Sequence, residues 1–299
     1  MSEKQKQKTG AARLSILSNL FLIIIKVVAG VLSGSVSIIS EAIHSGMDLM
    51  AAIIAFFSVK VSSNPPDRKH PYGHGKIENI SGVVEAMLIL VAAVWIIYEA
   101  VHKLMKPEPV GSLGIGFAVM LMSGLVNFFV SRKLYRVAKK TDSLALEADA
   151  LHLKTDVYTS LGVALGLALL WLTGLHWLDP VVAILVALLI LFESFSLLKK
   201  AYRPLLDTNL PENELNIVKT AIEKHLKPGM SFHQLRTRRS GHFKYVDLHL
   251  EVPGETTVAV SHRICDDIEA EIRRELEDTE VHIHIEPLIR LDLPGLTKA

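Results

Sequence analysis

Residues 109 to 131 and 157 to 178 each run more than twenty positions without an Asp, Glu, Lys or Arg. A helix of ~20 apolar residues spans the ~30 Å hydrocarbon core of a bilayer. Inside lipid only helices and closed barrels satisfy their own backbone hydrogen bonds, so runs this long commit the chain to membrane helices. Four more stretches are apolar but broken by isolated charges: about 14 to 35 (Lys26), 38 to 61 (Glu41, Asp48, Lys60), 80 to 103 (Glu85, Glu99) and 178 to 198 (Asp179, Glu193). Six spans are predicted. A mean hydropathy of +0.35 with 50% hydrophobic residues agrees with that reading. The first span has the position of a signal peptide, but Lys26 splits its apolar core and Gly30 to Ser35 leads straight into the next span, so it is expected to be retained.

Orientation follows the basic residues of short loops. Lys4, Lys6, Lys8 and Arg13 precede span one; Arg68, Lys69 and Lys76 follow span two. Arg132, Lys133, Arg136, Lys139 and Lys140 follow span four, and Lys199, Lys200 and Arg203 follow span six. The other side has only Lys103 and Lys106. Both termini are therefore expected in the cytoplasm. A formal net charge of +1 gives no basic excess for nucleic acid.

After residue 208 the composition becomes that of a soluble domain. Asp207, Asn209, Pro211, Glu212 and Asn213 make a helix-start cluster. The pattern then predicts a helix over 211–226, strands over 231–239 and through Tyr245 to Leu250, a helix over 257–276 and a strand over 280–286. The expected organisation is a six-helix membrane domain over 1–208, a small α+β cytoplasmic domain of order αββαβ over 209–292 with both helices on one sheet face, and a tail over 293–299.

Cys265 is the single cysteine, which excludes a disulfide framework and any site built mainly from thiolates. Bound metal would then need imidazole and carboxylate ligands, and the chain has 13 histidines. His44 and Asp48, and again His152 and Asp156, have the spacing HxxxD. On a helix, positions i and i+4 share a face, so two such helices facing each other supply the four N/O ligands that Zn²⁺ accepts. Ionisable residues are costly in mid-membrane and tend to be paired and functional, and two copies of one spacing argue against coincidence. Glu41 and Asp149 are left outside the ligand set.

Between spans two and three, Asp67, His70 and His74 form DxxHxxxH in a loop held by Pro65, Pro66, Gly73 and Gly75, which makes a second candidate metal site. In the soluble domain, strand periodicity puts His282, His284 and Glu286 on one face of the last strand, with His233 and His249 on neighbouring strands and His262 on the helix between. Five histidines in under sixty residues point to a third metal cluster. Gly30-x-x-x-Gly34 and Gly162-x-x-x-Gly166 read as helix packing.

Six spans, HxxxD in helices two and five, the DxxHxxxHGK loop and an αββαβ tail with FHQLRTRRSG and VHIHIEP together resemble the cation diffusion facilitator family from about residue 13 to 288. The resemblance implies a homodimeric divalent-metal/proton antiporter with a metallochaperone-like cytoplasmic domain, in a bacterial inner membrane. It puts the transport site on His44, Asp48, His152 and Asp156, the loop site on Asp67, His70 and His74, and the cytoplasmic site on His233, His249, His262, His284 and Glu286. It also implies an inter-subunit charge interlock of Lys76 with Asp207. His44 stands where several bacterial relatives have Asp, and Glu286 where Asp is common. Two neutral and two anionic transport ligands favour Zn²⁺ by ligand type, without excluding Fe²⁺, Co²⁺, Ni²⁺ or Cd²⁺.

The expected function is export of Zn²⁺, or a similar divalent ion, from the cytoplasm in exchange for protons. A membrane metalloenzyme fits worse, since no HExxH is present and a four-ligand site leaves no open position for water. A metal sensor anchored by its spans would need no ligands in mid-membrane. A passive metal channel is separated from the antiporter only by whether transport answers to a proton gradient.

Overall fold

The computed structural model describes residues 3–33, 36–105, 115–173, 175 and 177–288. The chain divides into two compact units, Met1–Leu205 and Leu206–Ala299. The first contains six long helices: α1 (Glu3–Ser33), α2 (Val36–Ser62), α3 (Lys76–Met105), α4 (Ile115–Thr141), α5 (Leu144–Thr173) and α6 (Leu178–Tyr202). Among the described residues, Glu3–Leu32, Lys76–Met105 and Pro180–Leu206 are long and apolar enough to cross a membrane by composition alone.

The pattern of burial is inverted relative to a soluble bundle. Helix α3 buries Glu78, Asn79, Ser81, Gly82, Glu85 and Ala86 and exposes Val84, Met87, Leu88, Val91, Val94 and Trp95. Small and polar residues at helix contacts with large apolar ones outside are what lipid demands, because tails solvate Leu and Val but not carboxylates. Close approach is visible at Gly162, where a Cβ would come within 2.9 Å of Val186 on α6, as the packing reading of its motif expects.

Between α4 and α5 the chain reverses within three residues. Asp142 adopts a left-handed φ of 50°, and the Ser143 amide donates to Ala138 O at 3.0 Å, closing the last turn of α4. Ser143 O then accepts from the Glu147 amide at 3.1 Å, starting α5. This turn meets the beginnings of α1 and α3 at a buried ion pair. The Glu78 carboxylate accepts Lys8 Nζ at 3.0 Å, Ser62 Oγ at 2.9 Å and Ser143 Oγ at 2.5 Å. Lys8 is 2% exposed and Glu78 0%, so four segments of chain are tied through one carboxylate.

The second unit follows a 3₁₀ turn (Arg203–Leu206) and has the order α7 (Glu212–His225), β1 (Ser231–Ser240), β2 (Phe243–Pro253), α8 (Val258–Glu275) and β3 (Thr279–Leu288). Strand β2 is central, antiparallel to β1 and parallel to β3, with α8 as the crossover. Val218 and Ile222 of α7 and Ile264, Cys265, Ile268 and Ile272 of α8 pack with Val246, Leu248, Leu250 and Val252. Both helices therefore cover one sheet face and the other stays open. Burial pushes the Cys265 thiol up to about 11, so it is a neutral packing residue at physiological pH.

Strand β1 contains a bulge. His233 pairs with His249 but Arg236 with Asp247, so Gln234 and Leu235 together oppose one residue, and Gln234 takes a left-handed φ of 50°. The extra residue lets Phe232 and Leu235 both pack on the core.

Candidate metal centres

Among the described residues three groups of ligand-type side chains converge, each offering atoms within 4.8 Å of one another. A tetrahedral zinc site with bonds of about 2.0–2.1 Å holds its ligand atoms about 3.3 Å apart, so each group needs only a small contraction.

In the membrane unit the group is Asp48 from α2 with His152 and Asp156 from α5. The i, i+4 spacing puts His152 and Asp156 on one face of α5. His152 Nε2 lies 3.1 Å from Asp48 Oδ1 across the helix interface, and Asp48 is 4% exposed. His44 lies on α2 one turn before Asp48, and its side chain is outside those described. Around the group stand two features absent from the sequence reading of the site. Asn127 Nδ2 of α4 donates to Asp156 Oδ2 at 3.2 Å, and Lys26 Nζ of α1 donates to Ser45 Oγ at 2.7 Å, next in sequence to His44. A lone amide in the charge-free run 109 to 131 was the available signal for Asn127. Residues that orient a ligating carboxylate set metal affinity, and their loss costs about 10–100-fold. Asn127→Ala is therefore expected to weaken zinc binding by that factor while Asp156 remains; isothermal titration of the full-length protein reads it, and unchanged affinity would show that Asp156 is positioned without the amide.

The loop group is Asp67, His70 and His74. Asp67 Oδ1 accepts the backbone N–H groups of His70 at 2.7 Å and Lys69 at 2.8 Å, and His70 Nδ1 lies 3.2 Å away. His74 Nε2 stands 3.4 Å from Asp67 Oδ2. The His70 amide leads the interactions that hold the Asp67 carboxyl below its usual range, so it is ready as an anionic ligand. Gly73, at φ 77°, makes the turn that brings His74 back under His70, with ring centroids 4.4 Å apart.

The third group lies on the open sheet face. Register places His233, His249 and His284 side by side across β1, β2 and β3. His249 Nδ1 is 2.8 Å from Glu286 Oε1, His233 Nε2 is 3.5 Å from Glu286 Oε2, and His284 Nε2 is 3.6 Å from Glu286 Oε1. His233, His249 and Glu286 meet the mutual-distance condition, and His284 adjoins them with its ring 4.9 Å from that of His249. The His249 hydrogen bond, ahead of the neighbouring imidazoles, keeps the Glu286 carboxyl below the usual range. That pairing favours the folded state above the ordinary carboxylate range and is lost as acid protonates Glu286. His262 is not brought to this group. Its helix turns Ile264, Cys265 and Ile268 into the core on the covered side of the sheet, and His262 Nδ1 lies 3.1 Å from Asp266 on the exposed side of α8. His282 faces Glu280 at 3.4 Å. Asp207 lies 3.8 Å from Arg238 within the same unit.

Buried polar residues between lipid-facing helices, a carboxylate-imidazole group in mid-bundle and a histidine-lined sheet define a membrane transporter of metal cations. The comparisons with known proteins agree. Residues 12–206 match the cation efflux transmembrane domain and residues 210–288 the cytoplasmic domain of cation efflux proteins. The chain belongs to this family, the cation diffusion facilitators. It is 36% identical over 277 residues to the uncharacterized transporter sll1263 of Synechocystis, covering 93% of this chain and 89% of that protein. It is 31% identical over 278 residues to the cation-efflux pump FieF of Shewanella oneidensis, covering 93% of each. A solved structure of the zinc form of the putative zinc transporter CzrB aligns at 30% identity with 27% of this chain and 93% of that one, at a TM-score of 0.26.

Proposed function

We propose that this cation efflux protein exports Zn²⁺ from the cytoplasm in exchange for protons, as a homodimer with both termini in the cytoplasm of a bacterial inner membrane. The observation that carries the reading is the convergence of Asp48, His152 and Asp156 within the membrane unit, with His44 one turn from Asp48. Imidazole and carboxylate bind metal only when deprotonated, so metal and protons compete for the same atoms. Alternating exposure of that site to the two sides then couples the two fluxes. Two histidines and two aspartates make a borderline ligand set that suits Zn²⁺ better than Mn²⁺. The open-face cluster of His233, His249, His284 and Glu286 serves as a regulatory zinc site, and Asp67, His70 and His74 as a loop site.

The deciding experiment is metal uptake into proteoliposomes with an imposed pH gradient, across Zn²⁺, Cd²⁺, Fe²⁺, Co²⁺ and Mn²⁺. Zinc uptake that rises with the gradient and moves protons the other way is expected. Flux that follows the metal gradient alone would make the protein a uniporter. For the regulatory site, the domain from residue 206 onward is expected to bind zinc by itself, because it owns its core, and replacing His233, His249 and His284 together should abolish the heat of binding. No heat from the unmodified domain near neutral pH would show that those histidines face solvent without holding metal.

A further inference from the structure

Besides the ion-paired Glu78, two carboxyl groups outside the ligand set are buried in the interior of the membrane unit. Glu85 of α3 and Asp149 of α5 are each 0% exposed. One oxygen of each is served by a serine: Ser81 Oγ donates to Glu85 Oε1 at 3.1 Å, and Ser15 Oγ of α1 to Asp149 Oδ1 at 3.1 Å. The other oxygens, Glu85 Oε2 and Asp149 Oδ2, are buried without a hydrogen-bond partner. Glu85 lies within electrostatic reach of Asp149, and both lie within reach of His152. Among the described residues no hydrogen bond or ion pair joins either carboxyl to that imidazole.

Among the described residues no hydrogen bond or ion pair joins either carboxyl to a Lys or Arg side chain. Around the pair Lys8 is taken by Glu78, Lys154 by Glu193 and Lys200 by Glu147, while Asp48 faces His152. Two buried carboxyls within reach of one another cannot both be ionised cheaply, and an uncompensated buried anion is costly. Protonating one of the two removes its charge, which burial favours. The position is also directional. Asp149 lies three residues, about 4.5 Å along the axis, nearer the start of α5 than His152. Glu85 is in the third turn of α3, whose start meets that of α1 at the Lys8–Glu78 pair. The two carboxyls thus stand between the transport ligands and the end of the bundle where α1, α3 and α5 begin.

We propose that Glu85 and Asp149 form a proton-holding pair that takes up an exchanged proton while the transport site is open to the far side and releases it at the near end. This rests on the antiport reading for the direction of exchange. Without metal the pair holds one proton in one O–H bond and carries one negative charge. A divalent ion arriving at Asp48, His152 and Asp156 favours the doubly ionised form; the O–H bond breaks, its electrons stay on the carboxylate and the proton leaves to water at the near end. Loss of the ion to the far side lets one proton enter from that side and re-form the O–H bond.

The test uses full-length protein in phosphatidylethanolamine/phosphatidylglycerol vesicles, with Glu85→Gln, Asp149→Asn and both together. Zinc-for-zinc exchange at equal pH should stay near native, while uptake driven by a pH gradient falls about tenfold or more and loses its pH dependence. Infrared difference spectra on zinc addition should show native protein losing a protonated-carboxyl band that the double variant lacks. Unchanged gradient-driven uptake with the native pH profile would overturn the proposal. So would parallel loss of both fluxes, which marks a structural role, or a native spectrum without the band. If native uptake ignores the pH gradient, the antiport reading fails by itself, and the infrared band still decides whether the pair holds a proton.

Discussion

Asp48→Ala and Asp156→Ala are each expected to bring zinc flux down to that of protein-free vesicles while expression and folding stay near native. Each substitution removes one of two anionic ligands, leaving the ion's charge half balanced in a setting where it has shed its water. Asp48 also faces His152 at 3.1 Å, so its loss frees the imidazole to turn away. The cost to packing is small, because a carboxylate aimed at a metal contributes little apolar contact. Flux should be followed with a zinc-sensitive dye inside the vesicles and folding by size exclusion in detergent. Substantial zinc transport remaining in both variants would remove the transport site from this part of the bundle.

The second large effect is on stability. Glu78→Ala would take the carboxylate away from the Lys8 ammonium, 2% exposed, and from the Ser143 hydroxyl, while Ser62 Oγ keeps Val59 O at 3.2 Å. Deleting one partner of a buried ion pair costs about 3–5 kcal/mol. Thermal unfolding in detergent should therefore shift clearly downward. The double variant Lys8→Met with Glu78→Leu should recover most of the loss, since replacing a whole buried pair by apolar residues is close to neutral. A single variant that melts with the wild type would show that water or another group already serves Lys8.

The helical architecture and the pairing of His152 with Asp156 are legible in the sequence because each rests on short-range rules: spans on runs of apolar residues, the ligand pair on the i, i+4 spacing. Boundaries are less so. The charge-free run places the fifth span at 157 to 178, yet α5 begins at Leu144, thirteen residues earlier. A hydropathy reading stops at Glu147, Asp149, Lys154 and Asp156, but the helix runs through them because each charge meets a partner on another helix: Lys200, Ser15, Glu193 and Asn127. The same blindness to tertiary contact hides the Glu78 clasp. In the soluble domain the period-2 rule finds His284 and Glu286 on one face, whereas His262 looks like a fellow ligand only until α8 is seen to pack on the covered side of the sheet.

The bulge in β1 has a consequence for anyone who would transplant the sheet face that carries His233, His249 and His284. His233 lies before the extra residue and Arg236 and Arg238 after it, with the Arg238 guanidinium 4.5 Å over the Tyr245 ring. Deleting Gln234 would make the strand regular without moving any side chain to the other face, because His233 would still oppose His249 and Arg236 would still oppose Asp247. Deleting Thr237 instead removes a paired residue, and a slip of one residue exchanges the two faces for one part of the strand. A transplant of this face must therefore respect where the spare residue sits as well as a set of side chains, and a single-residue deletion scan along 232–237 should be tolerated at Gln234 and not at Thr237.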